Sequence, residues 1–468
     1  MNVPTSIQHV LDSHNICYNL ACLTSAPPLL IDATKMDQQA HQHTARAHVL
    51  ETTTGKKLLA IIDNQSIVNL DAVATQLNEH YTPITVDELA TYVKKLGLES
   101  IAALPKLGDL PTIVDSRLLE YEQLLLPIGI GDQYEVLEQT SFHQLVSATT
   151  ISNIATPLTP LNTAMPTADD VPHIMHSVDL FTELRIKQRL EETLELPPLP
   201  VTAQSIMQLR VNPDADISDL SDIVELDPSL ASQVVSWAAS PYYSAPGTIK
   251  SIHDAIVRVL GFDMVLNLAL GLSLGSTLKM PTKGPHSTTP YWQQSVYVAA
   301  CAEAIISCMP RALRPNYGSA YLAGLLHNFG YLIIAEIFNA QFIKICQHID
   351  ANPHASVQAI ERHIIGVDRD QLASWLMVFW HMPTEVCIAI RQHNNPDYDG
   401  DYWQYALVIH TATKLLREQG IITGTSAEPI DENVFVRLQL ERSEAEEAIS
   451  KILESQEELQ AIAQQMET

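Results

Sequence analysis

The hexapeptide LLHNFG, Leu325 to Gly330, is the part of the chain closest to a reactive site. A His followed directly by Asp on a helix, with Gly close behind, is a metal-site signature. Imidazole nitrogen and carboxylate oxygen together suit a divalent ion, which then activates water against a phosphoester. Here Asn328 stands where the carboxylate would be. An amide oxygen is a neutral, weak ligand, so His327 has no anionic neighbour in its own motif. Two alternatives follow: a hydrolase with an unusual ligand, or a scaffold that has lost the chemistry.

The elements that must hold this motif are helices. Leu322, Leu325, Leu326, Phe329 and Ile333 recur at steps of three and four. From about residue 178 onward helix signals dominate. Asp227 before Pro228 reads as an N-cap with Pro at the first helical position. Ser251 with Asp254 opens SIHDAIVRVLGF as a capping box. After residue 431 an acidic amphipathic stretch, ERSEAEEAISKILESQEELQAIAQQ, predicts one or two closing helices, with too few apolar repeats for a free coiled coil.

The first third of the chain is different. AHVLET, KLLAIID, TIVDS, LLLPIG and YEVLEQ are short β-type runs broken by Gly, Pro, Asp and Asn. Thr85 and Glu88 form a capping box for VDELATYVKKLG, which ends at Gly97. The expected architecture is therefore multidomain α+β. A mixed α/β domain spans 1–146, and a Ser-, Thr-, Ala- and Pro-rich linker spans 147–177. An all-α bundle spans 178–415, and an acidic helical tail, 416–468, packs on it.

Length and composition set the bounds. At 468 residues the chain exceeds one ordinary core, and 46% hydrophobic content marks it as globular. No stretch reaches the roughly 18 uninterrupted apolar residues of a membrane span. MVLNLALGLSLGSTL is too short and reads as a buried helix, and MNVPTSIQHV lacks the basic-then-apolar order of a signal peptide. The six cysteines form no C-x-x-C, as expected of reduced core thiols in a cytoplasmic protein. A net charge of −27 repels phosphate backbones, so nucleic-acid binding is not expected outside a local basic pocket.

From ELPPLPVTAQSIMQLRVNPDADISDLSDIVELDPSLASQVV through S-I-x-x-A-I-x-x-L-G (251–261), YWQQSVYVA, LAGLLHNFG and WHMPTEVCIAIRQHNNP, the chain resembles the HDOD family, the HD-related output domain of bacterial signalling proteins. The resemblance covers about 190 to 415. It implies a helical bundle and a role in signal transduction. Set against the HD hydrolase pattern, Gln294 precedes Ser295 where the first His is expected, His327 survives and Asn328 replaces Asp. Arg369 takes the place of a downstream His, only His393 of a His pair remains beside Asn394, and Thr413 sits where the closing Asp would be. Two His, two amides and a guanidinium make a poor cation site. His327, Asn328, Arg369 and His393 are thus expected to line a remnant pocket with neither metal nor cofactor. It either packs as hydrogen-bonded core or binds a nucleotide or a partner side chain without cutting it. Trp292, Trp375, Trp380 and Trp403 read as packing.

Residues 1–146 resemble the editing deacylases of misacylated tRNA, of the YbaK and prolyl-tRNA-editing type, through KLLAIIDNQSIVNLDAVATQL, LPTIVDSRLLEYEQLLLPIGIG and YEVLEQTSFHQLV. That resemblance implies a strand Lys and a Gly-rich loop handling the ester. Here Arg46 precedes AHVLET, ESIAA stands at 99–103 in place of the glycines, and only Gly129 matches a later family glycine. Residues 1–150 carry 8 Lys and Arg against 17 Asp and Glu, a balance of −9 that suits tRNA badly. The expected function is a non-catalytic regulatory protein with a protein partner or small ligand. Deacylation through Arg46 and Gly129 is the alternative, with tRNA as substrate, and a metal phosphohydrolase is the second.

Overall fold

Strand β2, His43–Glu51, organises the first of two units. In the computed structural model the described residues are Ile7, 19–22, 43–131, 133–163, 165–181, 199–240, 243, 247–281, 284–285, 289–422 and 430–466. MNVPTSIQHV apart from Ile7, Cys17, and the first part of LPPLP lie outside them. One unit comprises Met1–Thr163, Gly284–Ser287 and Ile343–Ile364. The other comprises Ala164–Lys283, Thr288–Phe342 and Ile365–Thr468.

In the first unit the other strands are β1 (Asn19–Cys22), β3 (Lys57–Asp63), β4 (Ser66–Val68), β5 (Thr82–Pro83), β6 (Thr112–Asp115), β7 (Gln123–Pro127), β8 (Gln133–Glu138), β9 (Thr150–Ser152) and β10 (Ala155–Pro157). They form a mixed sheet in the order β1-β8-β7-β2-β3-β6-β9, with β5 also pairing β2, and a small β10-β4 ribbon. β2 runs antiparallel to β3 and parallel to β7, while β6 runs parallel to both β3 and β9. Side chains alternate across a strand, so the sheet has two apolar faces. Ala45, Ala47 and Val49 pack with Leu59, Ile61 and Leu126 on one. Leu50 packs with Leu58, Ala60, Ile62 and Ile113 on the other. The helix Val86–Lys95 opens on the predicted Thr85–Glu88 capping box.

Two boundaries differ from the expectation. Residues 147–177 are not a linker. β9 extends the main sheet, β10 pairs β4, and the buried carboxylate of Asp115 accepts the amides of Ile154 and Ala155 at 2.8 and 2.9 Å. Farther on, the helix Asp170–Phe181 belongs to the second unit, where Asp170 takes a forked pair of bonds from Arg391 at 2.7 and 2.9 Å. Polar composition concealed these elements because their backbone groups are satisfied by distant partners.

Residues 343–364, expected inside the helical domain, instead complete the α/β unit. Asn352 Oδ1 accepts the Val68 amide at 2.7 Å while its Nδ2 donates to the Val68 carbonyl at 3.2 Å, much as a neighbouring strand would. His348 Nε2 accepts the Leu70 amide at 3.3 Å, His354 Nε2 donates to the Ser66 carbonyl at 2.8 Å, and Ala351 joins the apolar cluster.

The second unit is helical. The buried helix Tyr291–Cys308 packs against Tyr317–Leu326, Trp403–Glu418 and the tail helices Arg442–Leu453 and Gln456–Met466. A Cβ on Gly324 would lie 2.7 Å from Ala299 Cα, so glycine is what permits this close helix approach. Asp227 caps the helix Pro228–Ala238 through Ser229 and Leu230, both at 3.1 Å. Trp292 fills the space beside Gly275, and Trp380 meets Phe329 edge-on at 5.9 Å. The stretch Tyr317–Ile337 is long and apolar enough to cross a membrane, but 78% of it is buried within the unit. Cys301, Cys308, Cys346 and Cys387 are free thiols.

The Asn352 clasp is testable. Asn352→Ala leaves a buried amide and carbonyl of β4 unpaired, and should lower the unfolding free energy by about 1–3 kcal/mol. Hydrogen exchange at Val68 should accelerate accordingly. Unchanged exchange there would show that Asn352 does not hold the strand.

Candidate functional site

The helix Tyr317–Leu326 ends at His327, and the next, Phe329–Ile337, begins after Asn328. The motif therefore sits in a break between two helices. Asn328 occupies the N-cap position but makes no capping bond with its side chain. Its Oδ1 instead accepts Arg369 Nη1 at 2.7 Å. Arg369 opens the helix Arg369–Phe379, which is started by the capping box of Asp368 and Gln371. Its guanidinium also lies 5.4 Å from the Tyr331 ring centroid. Gly330 accounts for the closeness: a Cβ there would sit 1.9 Å from the Arg369 carbonyl oxygen. The glycine of the motif thus serves packing between helix ends.

His327 and His393, both 4% exposed, face each other with ring centroids 5.6 Å apart. A carbonyl can only accept, so each Nδ1 donates: His327 to Gly324 at 2.7 Å, His393 to Ile390 at 2.8 Å. His393 Nε2 then accepts from Asn394 Nδ2 at 2.9 Å, and the same amide nitrogen donates to Asp370 Oδ2 at 2.8 Å. His410 Nδ1 donates to the His393 carbonyl at 2.8 Å. Burial first, then His393 and the arginines 417 and 369, push His327 down to about 3. Burial does the same to His410, also to about 3. Both rings are neutral at physiological pH.

The structure brings the four predicted residues together and adds three that sequence reasoning missed: Asp370, His410 and Arg417. Asp370 is 3% exposed and could have been suspected, since it directly follows Arg369. His410 and Arg417 share the helical stripe of Thr413, which was noted. Gln294 is elsewhere engaged, donating to Thr289 at 2.9 Å. Among the described residues no group of three or more His, Cys, Asp and Glu is arranged to hold a metal ion. The donor chemistry agrees. A single Asn394 amide takes up both His393 Nε2 and a carboxylate oxygen of Asp370, and two guanidiniums stand in the same neighbourhood. This set does not fit a divalent cation.

In the α/β unit, Arg46 and Gly129 have different hydrogen-bond partners. Arg46 Nε donates to Asn64 Oδ1 at 2.6 Å, and burial lowers its guanidinium pKa. On the same face of β2, His48 bonds the Ala351 carbonyl and has its ring 5.5 Å from that of His354. Residues 343–364 therefore cover this face. Gly129, at φ +80°, shares no partner with Arg46; its carbonyl accepts the amides of Glu99 and Ser100 at 2.7 and 3.1 Å. Glu99 Oε2 in turn accepts the Gly131 amide at 2.8 Å, so an internal carboxylate occupies this backbone donor. Lys56 and Lys57 are paired with Glu79 and Glu51, both at 3.1 Å.

The fold is that of a helical domain joined to an α/β module. Residues 196–396 match the HDOD domain, and the chain belongs to the HDOD-domain proteins. Its likeness extends over the full length of one of them. A protein of Marinobacter aquaeolei VT8, named for a proposed role in signal transduction, is 37% identical, covering 100% of both chains with a TM-score of 0.87. An uncharacterized protein of Treponema pallidum (strain Nichols) is 23% identical over 202 residues, 43% of this chain; the match spans only 38% of that relative's length. A structure described as a candidate trans-editing enzyme for prolyl tRNA synthetase covers 32% of this chain at 15% identity, with a TM-score of 0.26. That likeness is too slight to bear on what the α/β unit does.

The buried histidines set a pH dependence. Burial holds His354 down to about 3, His348 down to about 4, and His48 well below its ordinary value. Unfolded, all three bind protons near 6.5, so the unfolded state carries more protons below that pH. Stability of the α/β unit is therefore full above about pH 6.5 and lost as pH falls, by up to about 1.4 kcal/mol per pH unit for each ring. Chemical denaturation at pH 7 and pH 5 should show this slope, and His354→Gln should flatten it. A stability independent of pH over that range would contradict the burial of these rings.

Proposed function

We propose that the chain is a regulatory protein of bacterial signal transduction in which neither inherited fold breaks a covalent bond. The observation that carries this is the 2.7 Å bond from Arg369 to Asn328. A guanidinium is fixed on the residue that would have been a metal ligand, and it cannot shed its charge to admit a cation. In the α/β unit, the Glu99 carboxylate on the Gly131 amide and the cover of 343–364 over the Arg46 face argue in the same direction. Kinship with a full-length relative named for signalling supports the regulatory part of the reading. The helical unit would then act by binding a protein partner or a small ligand, in the cytoplasm, with the α/β unit as a sensing or docking module. A −27 charge makes nucleic acid an unfavourable partner.

Purified protein should retain no stoichiometric iron, manganese or magnesium. It should also leave a generic phosphodiester intact and release no amino acid from mischarged tRNA. The double substitution Asn328→Asp and Arg369→His should raise manganese affinity by about tenfold or more, since it returns an anionic donor and removes a cation. Metal retained by the native chain and lost on His327→Ala, or turnover of either substrate, would refute the reading.

A further inference from the structure

Two polar groups on the helix Trp403–Glu418 are left without partners. Thr413 is 4% exposed, and its Oγ1 is buried with no hydrogen bond. Arg417 lies one turn later on the same face, its Nε shielded from solvent and likewise unbonded. Among the described residues no hydrogen bond or ion pair engages the Arg417 guanidinium, although neighbouring charges act on it. Burial, then Arg369, push its pKa down to about 10, with Asp370 compensating only in part. Buried polar groups are almost always satisfied, and a guanidinium keeps its charge at neutral pH. Thr413 stands where the HD pattern would place its closing Asp, and Arg369 stands where it would place a His. A hydroxyl thus stands in place of a carboxylate and a guanidinium in place of an imidazole, near His327 and His410. Lys414 stands beside His410, and the Asp370 carboxylate, whose Oδ1 is buried without a hydrogen bond, acts on Arg417.

We propose that Thr413 and Arg417, with Arg369 beside them, bind a phosphate-type oxyanion at the place where HD hydrolases hold their metal. A tetrahedral oxyanion offers several acceptor oxygens, suited to a hydroxyl and a guanidinium one helical turn apart. The inference rests on the reading that this site takes no cation. The ligand is either free phosphate or the phosphate group of a nucleotide, and the two share this recognition chemistry.

Metal-free full-length protein would be titrated with inorganic phosphate, AMP and acetate at constant ionic strength, by calorimetry and thermal unfolding. Saturable binding of phosphate or AMP, but not acetate, is expected, and it should weaken by about tenfold or more in both Arg417→Met and Thr413→Val. Thr413→Val keeps the side-chain volume, and a native-like unfolding temperature without anion shows that its loss of binding is not due to unfolding. AMP binding more tightly than phosphate identifies a nucleotide, and the reverse identifies the free ion. Without added anion, Arg417→Met should unfold at a higher temperature than the native chain, and phosphate should close that gap. A destabilised Arg417→Met in anion-free buffer, binding that both variants leave unchanged, or no binding of either phosphate compound would overturn the proposal. Metal content of the same sample separates the causes. Metal-free protein that ignores phosphate sinks the oxyanion site alone, whereas retained metal sinks the regulatory reading and this inference with it.

Discussion

A guanidinium repels a divalent cation, and in the helical unit the guanidinium of Arg369 is seated on Asn328. Arg369 reaches Asn328 because helix Arg369–Phe379 starts where Gly330 lets its backbone approach. Asn394 spans His393 and Asp370, holding the lone pair of one and an oxygen of the other on a single amide. With the imidazole Nδ1 atoms committed to backbone carbonyls, what remains is a lining of neutral rings, two guanidiniums and the Asp370 carboxylate. Such a lining can recognise an anion or a hydrogen-bonding partner far more readily than it can polarise a phosphoester.

The α/β unit is held together by a different kind of contact. Its sheet is buried on both faces, and one face is completed by residues 343–364, which arrive from between helical segments. Asn352 supplies β4 with the donor and acceptor that a strand would have offered, while His348 and His354 bond to neighbouring backbone groups. Because these imidazoles are buried and neutral, the contact depends on pH in a way that a purely apolar contact would not.

Much of the architecture was legible along the chain. The capping box at Thr85 and Glu88, the Asp227-Pro228 start and the apolar spacing around His327 are local signals, and local backbone chemistry decides them. The replacement of a metal-motif carboxylate by Asn328 could be seen from a single letter. The strands at 150–157 were hidden because their pairing with β6 and β4, and their hold on Asp115, join residues far apart in sequence. Asp370 and Arg417 were overlooked for a similar reason: only packed helices bring Asp370 to Asn394 and Arg417 near His327 and His410.

The sequence by itself therefore determined the fold class, the helical setting of LLHNFG and the loss of its carboxylate, since propensity, periodicity and residue chemistry act over a few positions. Tertiary structure alone decided that Arg369 clasps Asn328, that Arg46 bonds to Asn64, and that 343–364 belongs with the sheet. It also decided that Arg417 Nε and Thr413 Oγ1 are buried without a hydrogen-bond partner. Desolvation and the sharing of hydrogen-bond partners are properties of groups brought close in space, and no stretch of the chain carries them alone.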